Sequence, residues 1–185
     1  MRHQPRAAAL AVLLALFGGT LTALQMRAPA PAAAPPVEPA AVVPVRLDIP
    51  RIGLHTRLIR LGLDPDGTPQ VPSPNRDSPA GWYQQSPIPG QAGAAVLVGH
   101  VAPARDGPTV FHRLGTLRAG DTVSIRRSDG VTVRFRVTER RIHRGAPEAH
   151  QTTAAPTLRL VTCGGNFDPD RRRHRSNLVV IAALA

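Results

Sequence analysis

Lysine is absent from this chain of 185 residues, and cysteine and aromatic residues are scarce. All 23 basic side chains are therefore arginines, and against 12 acidic side chains they give a formal net charge of +11. One Trp, one Tyr and four Phe leave few side chains on which nucleic-acid bases can stack. Without a nucleic-acid-binding motif, the basicity is interpreted as a solubilising surface that tolerates anionic neighbours such as lipid headgroups or wall polymers.

The N-terminal segment, residues 1–27, predicts a single-pass membrane anchor. Arg2 and Arg6 precede an uncharged run over residues 7–26, and this run has the length of roughly 20 residues that a membrane-spanning helix requires. The positive flank predicts a cytoplasmic N-terminus and an extracellular location for the rest of the chain. A cleaved signal peptide is the alternative, because the small residues of APAPAAA suit a signal peptidase.

A linker rich in alanine and proline follows at residues 28–44, and residues 45–185 form the predicted globular domain. Within the domain, seven runs have the length or the alternation of β-strands: VRLDIP, RLIRLG, AAVLVG, TVSI, VTVRFRV, TLRLVT and NLVVIAAL. The turn residues RSDG between TVSI and VTVRFRV predict a hairpin. Helical periodicity is limited to a short stretch at residues 109–117, so the fold class is all-β, a small barrel or sandwich.

The single cysteine, Cys163, ends the run TLRLVT and is followed by Gly164 and Gly165. In an exported protein, a lone cysteine indicates a reactive thiol or an intermolecular disulfide, and a buried inert thiol is the alternative. The two glycines favour the reactive thiol, because glycine lets a backbone or a ligand approach closely. A nucleophilic thiol also needs an imidazole or a cation nearby to raise its thiolate fraction.

Among the seven histidines, His100 is the best candidate for that partner. It ends the apolar run AAVLVG just as Cys163 ends its own run, so we expect the two side chains at one rim of a barrel. A structural hydrogen bond to a loop is the alternative role for His100. Four other histidines of the domain are interpreted as solvated residues of irregular segments (His55, His143 and His150) or as a surface residue of a short helix (His112).

Arg175 is the candidate oxyanion donor. It lies just before the run NLVVIAAL, and if this run pairs antiparallel with TLRLVT, its start returns beside Cys163. Acyl transfer develops negative charge on the substrate oxygen, and a guanidinium offers a permanent charge and a rigid fork of donors. The neighbouring Arg171, Arg172 and Arg173 are interpreted as a solvated basic loop.

The blocks VLVGHV, LRLVTCGGNFD and RSNLVVIA, in this order, resemble the signature blocks of the sortases, the cysteine transpeptidases of Gram-positive surfaces. The blocks IPRIGLHTRLIRLGLDPDG, GWYQQSPIPGQAGAAVLVGHV and PTVFHRLGTLRAGD resemble the actinobacterial class F members in particular. The resemblance extends from about Leu47 to Ala185. It implies a closed eight-stranded β-barrel with short helices and with the catalytic residues in a groove.

The resemblance also implies the role of each site residue. Cys163 is the nucleophile, His100 the general acid and base, and Arg175 the residue that holds the substrate backbone and the oxyanion. Thr162 matches a family threonine near the substrate, and Gly164 is assigned to substrate binding with it. The implied substrate is a protein with a Leu-Pro-x-Thr-Gly sorting signal, whose acyl group passes through a thioester to an amine of the cell wall. The resemblance implies no metal and no organic cofactor.

Two alternative functions stay open from the sequence. A cysteine hydrolase with the same residues would pass the acyl group to water. A non-catalytic basic module would bind anionic wall polymer in a salt-sensitive manner and without any dependence on Cys163.

Overall fold

Eight strands account for most of the described structure. The computed structural model describes residues 41–101, 107–144, 153–168 and 173–185, of which positions 144, 163–168 and 173–175 are described by their backbone. The strands are β1 (Pro44–Ile49), β2 (Leu54–Leu61), β3 (Ala80–Tyr83), β4 (Ala94–His100), β5 (Thr122–Arg127), β6 (Thr132–Arg144), β7 (Thr157–Asp168) and β8 (Arg173–Leu184). Two 3-10 helices, Pro50–Ile52 and Leu114–Thr116, lie in the connections.

The strands close into a barrel in the order β1-β2-β3-β4-β7-β8-β6-β5. The pairs β2–β3 and β4–β7 are parallel, and the remaining pairs are antiparallel. The closed eight-stranded barrel and the β5–β6 hairpin are therefore confirmed. The short helix predicted at residues 109–117 is the 3-10 helix Leu114–Thr116.

Alternation along the strands fills the barrel interior with apolar side chains. In β5 and β6, for example, Val123, Ile125, Val133 and Phe135 are buried while the residues between them face outward. The main core cluster draws its residues from the stretch between Leu47 and Ala182. Because the barrel carries its own core, the unit Ala40–Ala185 has what it needs to fold by itself.

Strands β4, β7 and β8 bury both of their faces. Their inner face adds Ala95, Leu97, Leu158, Leu160, Val180 and Ala182 to the main core. On their outer face, Val96, Val161 and Val179 form a second cluster with Tyr83. Burial on two sides explains why these three strands have nearly continuous apolar sequences.

The N-terminal unit, Met1–Pro39, lies outside the described residues. The predicted anchor at residues 1–27 and most of the predicted linker at residues 28–44 fall in this part of the chain. Within the described ranges, neither helix has the length and apolar character needed to cross a membrane. The division of the chain at residues 27 and 44 stays a prediction.

Candidate active site

The parallel register of β4 and β7 makes the backbone positions of His100 and Cys163 direct partners. On the other side of β7, Cys163 is the partner of Asn177 in β8, and Asn177 is the partner of His143 in β6. Residues with polar or nucleophilic side chains thus cross four neighbouring strands in one line, His100–Cys163–Asn177–His143, which we call the rim row. Strand β4 ends at this row.

His100 is held at three points. Its Nε2 lies 2.7 Å from the backbone oxygen of Pro72, and its own carbonyl accepts hydrogen bonds of 2.8 Å from the backbone N–H of Phe111 and from Oγ1 of Thr109. Because a carbonyl oxygen only accepts, Nε2 carries the proton of this bond, and Nδ1 of the neutral ring has a free lone pair. The imidazole is therefore fixed in one tautomer, with Nδ1 available as a base.

Gly99, which precedes His100, has no room for a side chain. A Cβ built there would lie 2.6 and 2.8 Å from two ring carbons of Phe111 and 2.8 Å from Cγ1 of Val110. The ring of Phe111 thus occupies the space beside β4 that a side chain of residue 99 would need. This close packing ties the end of β4 to the segment that follows it.

Arg175 and Gly164 lie beside Cys163 in the backbone register of β7 and β8. Gly164 is paired with Ser176, and Arg175 precedes Asn177, the partner of Cys163, by two residues. The register shifts between Gly164 and Phe167, so Arg175 faces an irregular stretch of β7. Diagonal neighbours in antiparallel sheets have Cα atoms roughly 7–8 Å apart. The antiparallel pairing expected from the sequence is confirmed, and the catalytic role of Arg175 stays a prediction.

Thr162 belongs to the inward-facing row of β7. It is fully buried, as are Leu158 and Leu160 in the same row, and its Oγ1 has no hydrogen-bond partner within the described residues. Its register partners are Gly99 in β4 and Leu178 in β8. The structure therefore places Thr162 inside the barrel wall behind Cys163. A contribution of its side chain to substrate binding stays a prediction.

Two histidines that were expected in irregular segments lie in strands. His55 is exposed in β2, where its Nδ1 lies 2.7 Å from Oδ1 of Asp48. His143 is half-buried near the end of β6 and belongs to the rim row. His112 is exposed, as expected, and its Nδ1 donates to the carbonyl of Thr109. His150 lies outside the described residues.

Asn177 and Pro72 belong to the site but were not predicted from the sequence. Asn177 is 5% exposed and stands opposite Cys163, and its only signal in the sequence is a polar residue at the start of an apolar run. Pro72 acts through its backbone oxygen, which no residue pattern reveals. In the part of the chain that the structure describes, no group of three His, Cys, Asp or Glu side chains is placed to hold a metal ion.

The residues that match a known family include the whole rim row. A family model for the sortase domain matches residues 47–185. The chain belongs to the sortase family. The matched range contains strands β2 to β8 and the second half of β1. No curated protein matches the chain closely enough to add a nearer relative.

Solved sortases share the fold of this sortase domain. Sortase A from Corynebacterium diphtheriae has a TM-score of 0.58 and 20% identity over 77% of this chain and 60% of that protein. Sortase C-1 from Actinomyces oris has a TM-score of 0.58 and 20% identity over 80% of this chain and 76% of that protein. For a sortase D5 transpeptidase from Clostridium perfringens the TM-score is 0.56, with 20% identity over 77% of this chain and 79% of that protein. The chain thus spans less than two thirds of the first of these proteins.

Proposed function

We propose that this sortase domain is a cysteine transpeptidase that cleaves a Leu-Pro-x-Thr-Gly-like sorting signal between Thr and Gly. The proposal rests above all on the register that makes His100 and Cys163 neighbours at the end of β4. Arg175 adds a permanent positive charge two residues from Asn177, the other neighbour of Cys163. A nucleophile, an acid–base group and an oxyanion donor are the three groups that acyl transfer requires.

The proposed reaction has two halves. The Cys163 thiolate attacks the Thr carbonyl carbon, and Arg175 donates hydrogen bonds to the oxyanion of the tetrahedral intermediate. Collapse of the intermediate breaks the C–N bond, and His100 gives a proton to the departing Gly amine. An acceptor amine then attacks the carbonyl carbon of the thioester and gives a proton to His100. The C–S bond breaks, so the Cys163 thiolate is released and the new amide is complete.

The contact with Pro72 decides which nitrogen of His100 takes part. Nε2–H is engaged by the Pro72 carbonyl at 2.7 Å, so Nδ1 is the nitrogen that exchanges protons with the substrate. The carbonyl oxygen accepts this hydrogen bond whether or not Nδ1 carries a proton, so the contact persists when His100 gives and takes a proton. We therefore infer that Pro72 keeps His100 oriented through both halves of the reaction.

The decisive experiment uses Ala40–Ala185 with a panel of sorting peptides, in the presence and absence of a diamino-acid amine. Mass spectrometry should detect a thioester on Cys163 and an amide product. Cys163→Ala and His100→Ala should abolish cleavage, and Arg175→Ala should lower turnover by about 10²–10³-fold. Arg118→Ala and His112→Ala are matched controls, because both residues are exposed outside the rim row.

Each alternative function has its own outcome in this experiment. A product that remains a free acid when amine is present identifies a cysteine hydrolase. Full binding of anionic wall polymer by a protein that never forms a thioester identifies a non-catalytic basic module. Unchanged cleavage by Cys163→Ala would reject cysteine chemistry altogether.

We further propose a location and a subclass. Residues 1–27 anchor the protein in the cell membrane, and the sortase domain acts outside it on surface proteins and a wall-precursor amine. The apolar run at residues 7–26 and its two flanking arginines support this topology. The sequence blocks around His100 and at residues 108–121 support class F. Protease accessibility of the domain in intact cells tests the topology, and peptide preference tests the subclass.

A further inference from the structure

One outer face of the barrel carries a cluster of exposed arginines. This basic face consists of Arg46 in β1, Arg57 in β2, Arg126 in β5, and Arg134 and Arg136 in β6. Arg46 is the register partner of both Arg57 and Arg126. Three guanidinium groups therefore start from directly adjacent positions on three strands, with Cβ atoms about 4.5–5.5 Å apart.

The positive charge of the basic face is mostly uncompensated. The carboxylates described on these four strands are those of Asp48, which is bound by Arg46 at 2.9 Å and by His55 at 2.7 Å, and Glu139, which is bound by Arg141. The carboxylate of Asp129 in the β5–β6 turn is bound by Arg127. Arg57, Arg126 and Arg134 form no ion pair with any residue that the structure describes. Like charges on directly opposite strand positions destabilise a sheet, so the placement of Arg57 and Arg126 beside Arg46 brings no stability to the fold.

The basic face lies toward the end of the barrel that is opposite the rim row. Strands β1 and β4 run in the same direction, because β1–β2 and β3–β4 are antiparallel and β2–β3 is parallel. His100 ends β4, whereas Arg46 stands near the beginning of β1 and Arg126 near the end of β5. The basic face and the proposed active site are thus separated along the barrel axis.

The chain also enters the barrel at the end that carries the basic face. Val43 precedes β1, and its carbonyl accepts a hydrogen bond of 2.8 Å from the backbone N–H of Ser128 in the β5–β6 turn. The N–H of Val43 donates to Oγ of the same Ser128 at 3.0 Å. Whatever precedes Val43 therefore joins the domain beside Arg46 and Arg126.

We propose that the basic face binds the anionic phospholipid surface of the membrane and turns the rim row away from it. The choice of a lipid surface rests on the membrane anchor proposed above, since the chain that would carry this anchor enters the barrel at the end of the basic face. Guanidinium groups pair well with lipid phosphates, and the attraction acts within about one Debye length, roughly 8 Å at physiological ionic strength. The domain would then be docked by charge at one end and open to substrate at the other.

The test is cosedimentation of Ala40–Ala185 with phosphatidylcholine vesicles that contain or lack phosphatidylglycerol. The test variant, Arg57→Gln/Arg126→Gln/Arg134→Gln, keeps the Arg46–Asp48 pair. The control variant, Arg51→Gln/Arg113→Gln/Arg118→Gln, loses the same charge from exposed sites toward the other end of the barrel. Each basic residue near an anionic membrane surface strengthens binding by about five-fold. We expect the test variant to bind phosphatidylglycerol vesicles about 100-fold more weakly than the parent, and the control to bind within about three-fold.

Two further measurements distinguish docking by the basic face from a loss of stability and from membrane contact by the rim row. The test variant should unfold at the same or a higher temperature than the parent, because a like-charge row is removed. Alkylation of Cys163, the single cysteine, should proceed at the same rate in solution and on vesicles, since the rim row points away. The Cys163→Ala variant should bind vesicles like the parent, so loss of catalysis and loss of docking are independent results.

Three outcomes would overturn the proposal. The first is equal vesicle binding by the test and control variants. The second is strong protection of Cys163 on vesicles, which would place the rim row against the membrane. The third is tighter binding, per phosphate, to soluble polyphosphate or duplex DNA than to phosphatidylglycerol vesicles, which would identify an anionic polymer as the partner of the basic face.

Discussion

Replacing Gly99 with alanine should damage both the barrel and the position of His100. The added Cβ would approach two carbons of Phe111 and one of Val110 to 2.6–2.8 Å, whereas carbon atoms in contact lie about 3.5–4.0 Å apart. Phe111 is fully buried, and its N–H is bonded to the carbonyl of His100. Its ring cannot retreat without repacking the core. Overpacking a core by a methyl group costs about 1–3 kcal/mol, and with three such contacts we expect about 2–3 kcal/mol.

Thermal unfolding of Ala40–Ala185 measures the effect on stability. A loss of about 2–3 kcal/mol lowers the Tm of a domain of this size by roughly 6–12 °C. Any relaxation that moves His100 by about 1 Å should also lower transpeptidation by about 100-fold. Gly115→Ala is the matched control, because a Cβ there meets Cδ2 of Leu178 at an ordinary 3.6 Å. We expect its Tm to stay close to that of the parent.

A double-mutant cycle with Phe111→Leu attributes the loss to the contact itself. The smaller side chain vacates the ring positions that the new Cβ would strike. The cost of Gly99→Ala should therefore be at least about 1 kcal/mol smaller in the Phe111→Leu background than in the parent. Equal unfolding temperatures for Gly99→Ala and Gly115→Ala would refute the inferred packing of Phe111 against β4.

Three further changes test the interior and the surface of the barrel. Thr162→Val removes a buried hydroxyl that lacks a hydrogen-bond partner in the described structure. The unfolding free energy, measured by denaturant titration, should rise by about 1–2 kcal/mol, and a decrease would show that the hydroxyl is bonded. Thr109→Val removes the 2.8 Å hydrogen bond to the His100 carbonyl. Thr109→Val should cost about 1 kcal/mol of stability and slow transpeptidation, whereas Thr109→Ser should keep the stability and the rate of the parent. Equal rates for the two variants would contradict a role of the Thr109 hydroxyl in positioning His100. The hydrogen bond from Arg46 lowers the pKa of Asp48, so the stability that Asp48 contributes is present above about pH 4 and is lost as the pH falls through the lowered pKa. Asp48→Asn should cost less than about 1 kcal/mol of unfolding free energy at neutral pH, and the unfolding free energy of the variant should fall less steeply with pH in the acid range. Parallel curves of unfolding free energy against pH for parent and variant would exclude a contribution from Asp48.

The strands were predictable where burial produces a pattern. The alternation of β5 and β6 and the apolar runs of β4, β7 and β8 each have a direct structural cause, burial of one face or of both. Strand β3 was not among the seven predicted runs, because its four residues, AGWY, are all buried and show no alternation. The eighth strand was therefore expected only through the resemblance to sortases.

The candidate site was predictable only in part. His100 and Cys163 were expected at one rim because each ends an apolar run, and the parallel register confirms that they are neighbours. His143 was misassigned because the register of β6 shifts between Val137 and Glu139, which breaks the alternation before the strand ends. The bond from His100 to the Pro72 carbonyl joins residues 28 positions apart through a backbone atom, so it depends on the tertiary fold.

The two roles proposed for arginine, oxyanion donation by Arg175 and lipid binding by the basic face, should respond differently to salt. Val161 and Val179, two residues from Cys163 and Asn177 on the same faces of their strands, are 3% and 5% exposed. Where water is excluded in this way, a fixed charge acts through a lower effective dielectric constant and is weakly screened by salt. At the exposed basic face, ions screen the charge strongly. The rate defect of Arg175→Ala should therefore persist at high ionic strength, whereas the difference in vesicle binding between the parent and the test variant should disappear there.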